Sequence, residues 1–123
     1  DLALIALGSM VDTAVTIRGL LRARGISACV INDRFVKPLD MELMEDLLPH
    51  IKRVVTLEEG VSEGGFGSAI LEFIEREGIG GVRVKRIGLP SIFIEHGKRS
   101  QLLSKYNLTA EAIFDVIMKE VMV

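Results

Sequence analysis

Residues 57–77, LEEGVSEGGFGSAILEFIERE, run from an apolar strand-like segment through four glycines in eight residues (Gly60, Gly64, Gly65, Gly67) into a helical pattern. In that pattern Phe66, Ile70, Phe73 and Ile74 share one face. A strand, a glycine-rich turn and an amphipathic helix in that order form the basic step of a β-α unit. The same order serves phosphate-cradling loops, but these residues do not suit one. A P-loop needs Gly-x-x-x-x-Gly-Lys-Ser/Thr; Gly60 and Gly65 have the spacing, while Phe66 and Gly67 stand where Lys and Ser/Thr belong. The dinucleotide fingerprint also fails, because Gly65-x-Gly67 should be followed three residues on by Gly or Ala, and Ile70 is there. Glu58, Glu59 and Glu63 would repel a polyanion arriving at the helix start. The glycines then read as a means of starting a helix close against neighbouring backbone.

Outward from this unit the pattern repeats. Residues 2–7 (LALIAL) and the core of residues 27–33 (SACVIND) are continuously apolar, as suits strands buried on both faces. Residues 53–59 (RVVTLEE) make a third strand. In residues 82–89 (VRVKRIGL), Val82 and Val84 alternate with Arg83 and Lys85, which predicts an edge strand with one face to solvent. Between them, Met10, Ala14, Ile17 and Leu21 form the stripe of a helix stopped by Gly25. Asp40 is a natural N-cap for a helix over residues 41–48, flanked by Pro38 and Pro49. The third helix stops near Gly78. A long irregular link then leads to a short helix over residues 101–106, and Thr109 caps a last helix with Ile113, Val116 and Ile117 facing inward.

Alternating strands and helices predict an α/β fold with three α/β/α layers and a mainly parallel sheet. Right-handed crossovers, with the first strand pairing the second on one side and the third on the other, give the order 2-1-3-4. A switch point then lies between strands one and three, where open α/β sheets bind ligands outside the carboxyl ends. Residues 8–10, 32–35 and 58–65 converge there.

At 123 residues the chain has the length of one domain with one sizeable core. A hydrophobic content of 49% and a mean hydropathy of +0.38 exclude a disordered or fibrous chain. A net charge of -2 without a basic run argues against nucleic acid or an anionic membrane surface as partner. No apolar run is long enough to span a bilayer, and the expected location is cytoplasmic. Cys29, the single cysteine, is expected to be a small buried core residue in a reducing compartment. With no Met at position 1 and a core strand from the second residue, residues 1–123 read as one domain of a longer chain.

Few residues could carry chemistry. Arg34, directly after a buried strand, offers a rigid fork for phosphate or carboxylate. By the residues alone, a salt bridge to Asp33, Asp40 or the Glu58–Glu59 pair is slightly favoured over that role. His96 in IEHGKR has no Ser, Cys or metal-ligand cluster beside it and reads first as a surface-loop residue. His50 at a helix end suits the helix dipole. Glu58 and Glu59, as strand neighbours, point opposite ways and suit loop capping rather than a facing catalytic pair. Two His and one Cys show no metal spacing. A crevice without a catalytic set suits a domain that completes a site built elsewhere.

The strings ALGSMV, VINDRFVKPLD, VVTLEEGVSEGGFGSAILEFI and GLPSIFIEHG, taken together, resemble the C-terminal domain of the 1-deoxy-D-xylulose-5-phosphate synthases, a family of thiamine diphosphate enzymes related to transketolase. The element from Arg34 to Asp40 and the later Glu-Glu with Gly-Gly-x-Gly are also similar to transketolases and the β subunits of 2-oxo acid dehydrogenases. FIEHG and the tail SQLLSKYNLTAEAI favour the synthases. The resemblance implies a transferase that condenses pyruvate with glyceraldehyde 3-phosphate for isoprenoid, thiamine and pyridoxal synthesis. It implies thiamine diphosphate and Mg²⁺ held between a pyrophosphate-binding and a pyrimidine-binding domain, with none held by this domain alone. A homodimeric full-length enzyme and an inactive isolated domain are likewise implied. For Arg34 it implies a contact to the phosphate of glyceraldehyde 3-phosphate, against the salt bridge. For His96 it implies nothing. A dehydrogenase β-subunit or transketolase domain serving assembly, and a stand-alone small-anion-binding module, are the alternative readings.

Overall fold

Successive side chains of a strand point to opposite faces, and in the first strand both faces are closed. Leu2, Leu4 and Ala6 lie in one apolar layer and Ala3 and Ile5 in the other, all at most 1% exposed. A computed structural model, which describes residues 1–33, 41–61, 65–89 and 98–123, shows the reason. Strand β1 (Leu2–Leu7) runs between β2 (Ala28–Asp33) and β3 (Arg53–Val61), with β4 (Arg83–Leu89) beyond β3. All pairings are parallel and the order is 2-1-3-4, as expected from the crossovers.

Helices cover both faces. On one side lie α1 (Met10–Arg22) and α5 (Ala110–Val116), which continues into a wider π-type turn (Ile117–Val121). The stripe Met10, Ala14, Ile17 and Leu21 is fully buried there against Leu4, Val55, Leu57, Ile113 and Ile117. On the other side lie α2 (Met41–Leu47), which ends in a single 3-10 turn at Leu48–His50, and α3 (Phe66–Arg76). Met44, Leu48, Phe66, Ile70 and Phe73 pack there on Ala3, Ile5 and Val54. The remaining helix, α4 (Arg99–Lys105), and α2 and α5 are seven residues each. Helices that short are not stable in water on their own. Buried anchors such as Met44, Leu108 and Ile113 hold the region in place, each fully buried side chain of this size contributing roughly 1.5–3 kcal/mol.

Helix ends follow the sequence closely. After α1, Gly25 has φ +77°, its N–H donates to Arg22 O and the Ile26 N–H donates to Leu21 O, the two bonds of a Schellman stop. After α3 the same pair is made by Gly78 and Ile79 to Glu75 and Ile74. After α4 the left-handed position is held by Asn107 at φ 59°, and Leu108, placed by that turn, is buried. Asn107→Gly is expected to keep stability within about 0.5 kcal/mol, while Asn107→Val should lose about 1–2 kcal/mol in denaturant unfolding, because a β-branched side chain resists positive φ. The Thr109 hydroxyl accepts the Ala112 N–H at 3.3 Å, the expected cap of α5.

Two expectations fail on β2. Ala28, Val30 and Ile31 are only partly buried, Asn32 is exposed, and Cys29 is an exposed free thiol rather than a core residue. The cause is topological, since among the described residues β2 has one neighbouring strand. Helix α1 covers Ala28 and Val30, and the opposite layer reaches Ile31 without extending over Cys29. Burial of Cys29 therefore gives no information on redox compartment. β4 is the edge strand expected at the other end: Val82 and Val84 pack under the α2–α3 layer. On the other face Arg83 donates to Glu120 O at 3.3 Å, and Lys85 pairs with the Glu120 carboxylate. The proposed N-cap Asp40 and most of the link before α4 lie outside the described residues.

Candidate functional site

The carboxyl ends of the strands meet at one edge. Leu7 is in register with Asp33, and Ala6 with Leu57, so the segments leaving β1, β2 and β3 start side by side. Gly8, at φ +60°, turns the chain into α1, and the Val11 N–H donates to its carbonyl at 3.2 Å.

β3 arrives differently. Its pairing with β4 goes from Leu57↔Ile87 to Val61↔Leu89, four residues on one strand against two on the other. Such a bulge twists a strand locally and re-aims its side chains, and Gly60 within it is a residue that tolerates the irregular backbone. Glu58 sits at its start and is 3% exposed. Its carboxylate reaches the start of α3, where Oε2 accepts the Phe66 N–H at 2.9 Å and Oε1 accepts the Gly67 N–H at 3.1 Å. Two of the N–H groups that a helix leaves unpaired are thereby satisfied by a negative charge at the positive end of the helix dipole. Glu58 is thus a capping residue, as expected of the pair; Glu59 is half-buried and also partnered.

The glycine-rich stretch is consequently closed to phosphate at this helix start. A pyrophosphate would have to displace a buried carboxylate of the same sign. Gly67 explains the close approach, although the neighbours are side chains rather than backbone. A Cβ there would lie 2.6 Å from Thr56 Oγ1 and 2.8 Å from Arg86 Cγ. Thr56 is fully buried, and its hydroxyl has no hydrogen-bond partner among the described residues; the Gly67 Cα–H side faces it. Arg86, paired in register with Thr56, runs beneath the helix start and donates from Nη1 to Ser68 Oγ at 2.9 Å. With a guanidinium as that partner, Ser68 is not activated as a nucleophile by it. Sequence reading missed this cluster; the signals were an Arg on an edge strand and a glycine at the second position of a helix.

Asp33 closes β2 at the carboxyl edge, and Arg34 follows it; Arg34 and His96 themselves lie outside the described residues. His50 ends the 3-10 turn and is exposed. Among the described residues no group of three or more His, Cys, Asp or Glu is placed to hold a metal, and no helix is long and apolar enough to cross a membrane. With its first amides held by Glu58, the α3 start is not free to bind a diphosphate.

Residues 1–113 match the model of the transketolase C-terminal domain. Among similar proteins, a 1-deoxy-D-xylulose-5-phosphate synthase of Desulforudis audaxviator is 49% identical over 113 residues, covering 92% of this chain and 18% of the relative. One of Halothermothrix orenii is 44% identical over 119 residues, 97% of this chain and 19% of the relative. The chain thus spans about a fifth of the length of these relatives. A solved split-gene transketolase, described as an inactive β4 tetramer, superposes with a TM-score of 0.88 at 34% identity, over 99% of this chain and 39% of that one. A transketolase of Pichia stipitis has the same fold at 21% identity, with a TM-score of 0.69 over 99% of this chain and 16% of its own.

Proposed function

Because the chain belongs to the transketolase C-terminal domain family, we propose that it is the C-terminal domain of a 1-deoxy-D-xylulose-5-phosphate synthase and acts only as part of that longer enzyme. The observation that carries this reading is the 44–49% identity to synthases along nearly the whole chain, against 34% and 21% to two transketolases of the same fold. The whole enzyme would join two carbons of pyruvate, with loss of CO₂, to glyceraldehyde 3-phosphate. Thiamine diphosphate with Mg²⁺, held by the other domains of the enzyme, would supply the electron sink for that decarboxylation. The full-length enzyme works as a cytoplasmic homodimer. This chain's part is domain assembly and one contact to the acceptor. The split transketolase supports the dependence on other domains, since its β chains alone form an inactive tetramer.

The acceptor contact is assigned to Arg34. In sequence it follows Asp33, the last residue of β2, which itself lies at the edge where the ends of β1 and β3 also meet. A guanidinium there would hold the acceptor phosphate, remote from the reacting carbonyl, and use that binding to orient the aldehyde. In the full-length enzyme, Arg34→Ala is expected to lower efficiency towards glyceraldehyde 3-phosphate roughly ten- to a hundredfold, the equivalent of about 1.5–3 kcal/mol for one charge-assisted contact. Pyruvate decarboxylation should be largely spared. Arg34→Lys should recover part of the loss, keeping the charge without the bidentate fork. With D-glyceraldehyde, which has no phosphate, wild type and Arg34→Ala should differ little. Equal losses with both acceptors, or a lower melting temperature alone, would make Arg34 a salt-bridge residue instead.

A further inference from the structure

On the outer side of α1, away from the carboxyl edge, a groove of about 730 Å³ separates the helix from the start of β2. Val15, Arg18, Gly19 and Arg22, spaced to share one helix face, line it together with Ile26 and Ala28. Two observations there have no explanation among the described residues. First, Gly19 stands in the helix interior, where glycine is less stable than alanine, yet nothing lies within 4 Å of the position its Cβ would take. Among the described residues no neighbour requires the missing side chain, so its absence leaves a notch open to the outside. Second, Arg18 and Arg22 are exposed and make no ion pair or side-chain hydrogen bond among the described residues, and Val15 beside them is 44% exposed. A small notch with apolar walls and an unpaired guanidinium on each side is complementary to an apolar side chain flanked by carboxylates.

We infer that this groove seats an acidic, apolar-centred surface from another domain of the same full-length protein. The inference rests on the reading of the chain as one domain of a longer enzyme. The length of the relatives favours that occupant: this chain covers only 18–19% of them, so most of such a protein lies outside it. An apolar residue of the partner would enter at Gly19, and its carboxylates would pair with Arg18 and Arg22, bidentate geometry suiting guanidinium.

The test uses the full-length protein and two readouts. Arginine modification by phenylglyoxal, followed by mass spectrometry, is expected to be at least tenfold slower at Arg18 and Arg22 in wild type than in Gly19→Leu, whose side chain fills the notch and displaces the partner. Gly19→Leu should also melt several degrees below wild type. On a bare helix face the same change would raise the melting temperature by about 2–4 °C through helix propensity. Unchanged arginine rates together with that rise would overturn the proposal. So would protection that varies with protein concentration, which indicates a second copy, or that appears only on adding inorganic phosphate, which indicates a small anion. Protected arginines in a protein that forms no deoxyxylulose phosphate would leave the groove standing and remove the assigned function, so the two failures are separable.

Discussion

Glu58→Ala is expected to lower the unfolding free energy by about 2–3 kcal/mol. The substitution removes two charge-assisted hydrogen bonds at 2.9 and 3.1 Å and leaves the Phe66 and Gly67 N–H groups unpaired in a buried place. It also removes a negative charge from the positive end of α3. At about 4 °C per kcal/mol for a domain of this size, the melting temperature should fall by about 10 °C. Glu58→Gln should recover less than half of the loss, since its amide has one oxygen to accept with and presents N–H to the second donor. Hydrogen exchange should show the loss concentrated at the first turn of α3. If Glu58→Ala melts within 2 °C of wild type, about half a kcal/mol at this size, the cap contributes little and the glycine-rich stretch is ordered by something else.

Gly67→Ala tests the same corner from the other side. Its new methyl would meet Thr56 Oγ1 at 2.6 Å and the Arg86 stem at 2.8 Å. Arg86 can bend away, but Thr56 is β-branched and fully buried in β3, so α3 itself must move. Overpacking of this kind costs about 1–3 kcal/mol, opposed by the roughly 1 kcal/mol that alanine gains over glycine in a helix. A net loss of about 0–2 kcal/mol is expected by denaturant unfolding. Combining it with Thr56→Ala, which removes the obstructing hydroxyl, should cost less than the sum of the two single changes by at least about 0.5 kcal/mol. Simple additivity would mean that the contact is not what requires glycine.

Most of the fold could be read in the sequence because its signals are local. The stripe Met10, Ala14, Ile17, Leu21 and the stops at Gly25 and Gly78 depend on helix periodicity and positive φ alone, and strand order followed from crossover handedness. β2 was misread because an apolar run does not say how many neighbours a strand has. Its burial is decided by the helix layers, which stop short of Cys29. At the site, the failed phosphate motif could be recognised from Phe66 and Gly67, whereas the two amides held by Glu58 could not, since they depend on a bulge that re-aims one carboxylate. Arg86 and Thr56 were likewise hidden, because their meeting with Gly67 is set by pairing between β3 and β4 rather than by spacing along the chain.

The central claim, that this is a synthase domain acting only within the longer enzyme, is tested most directly by one product assay. Pyruvate, glyceraldehyde 3-phosphate, thiamine diphosphate and Mg²⁺ are supplied to the full-length protein and, in parallel, to the 123-residue chain, and 1-deoxy-D-xylulose 5-phosphate is measured. The account predicts product, with CO₂, from the full-length protein and none from the chain at any concentration. Absence of product from the folded, cofactor-loaded full-length protein, or turnover that scales with the concentration of the 123-residue chain, would contradict it.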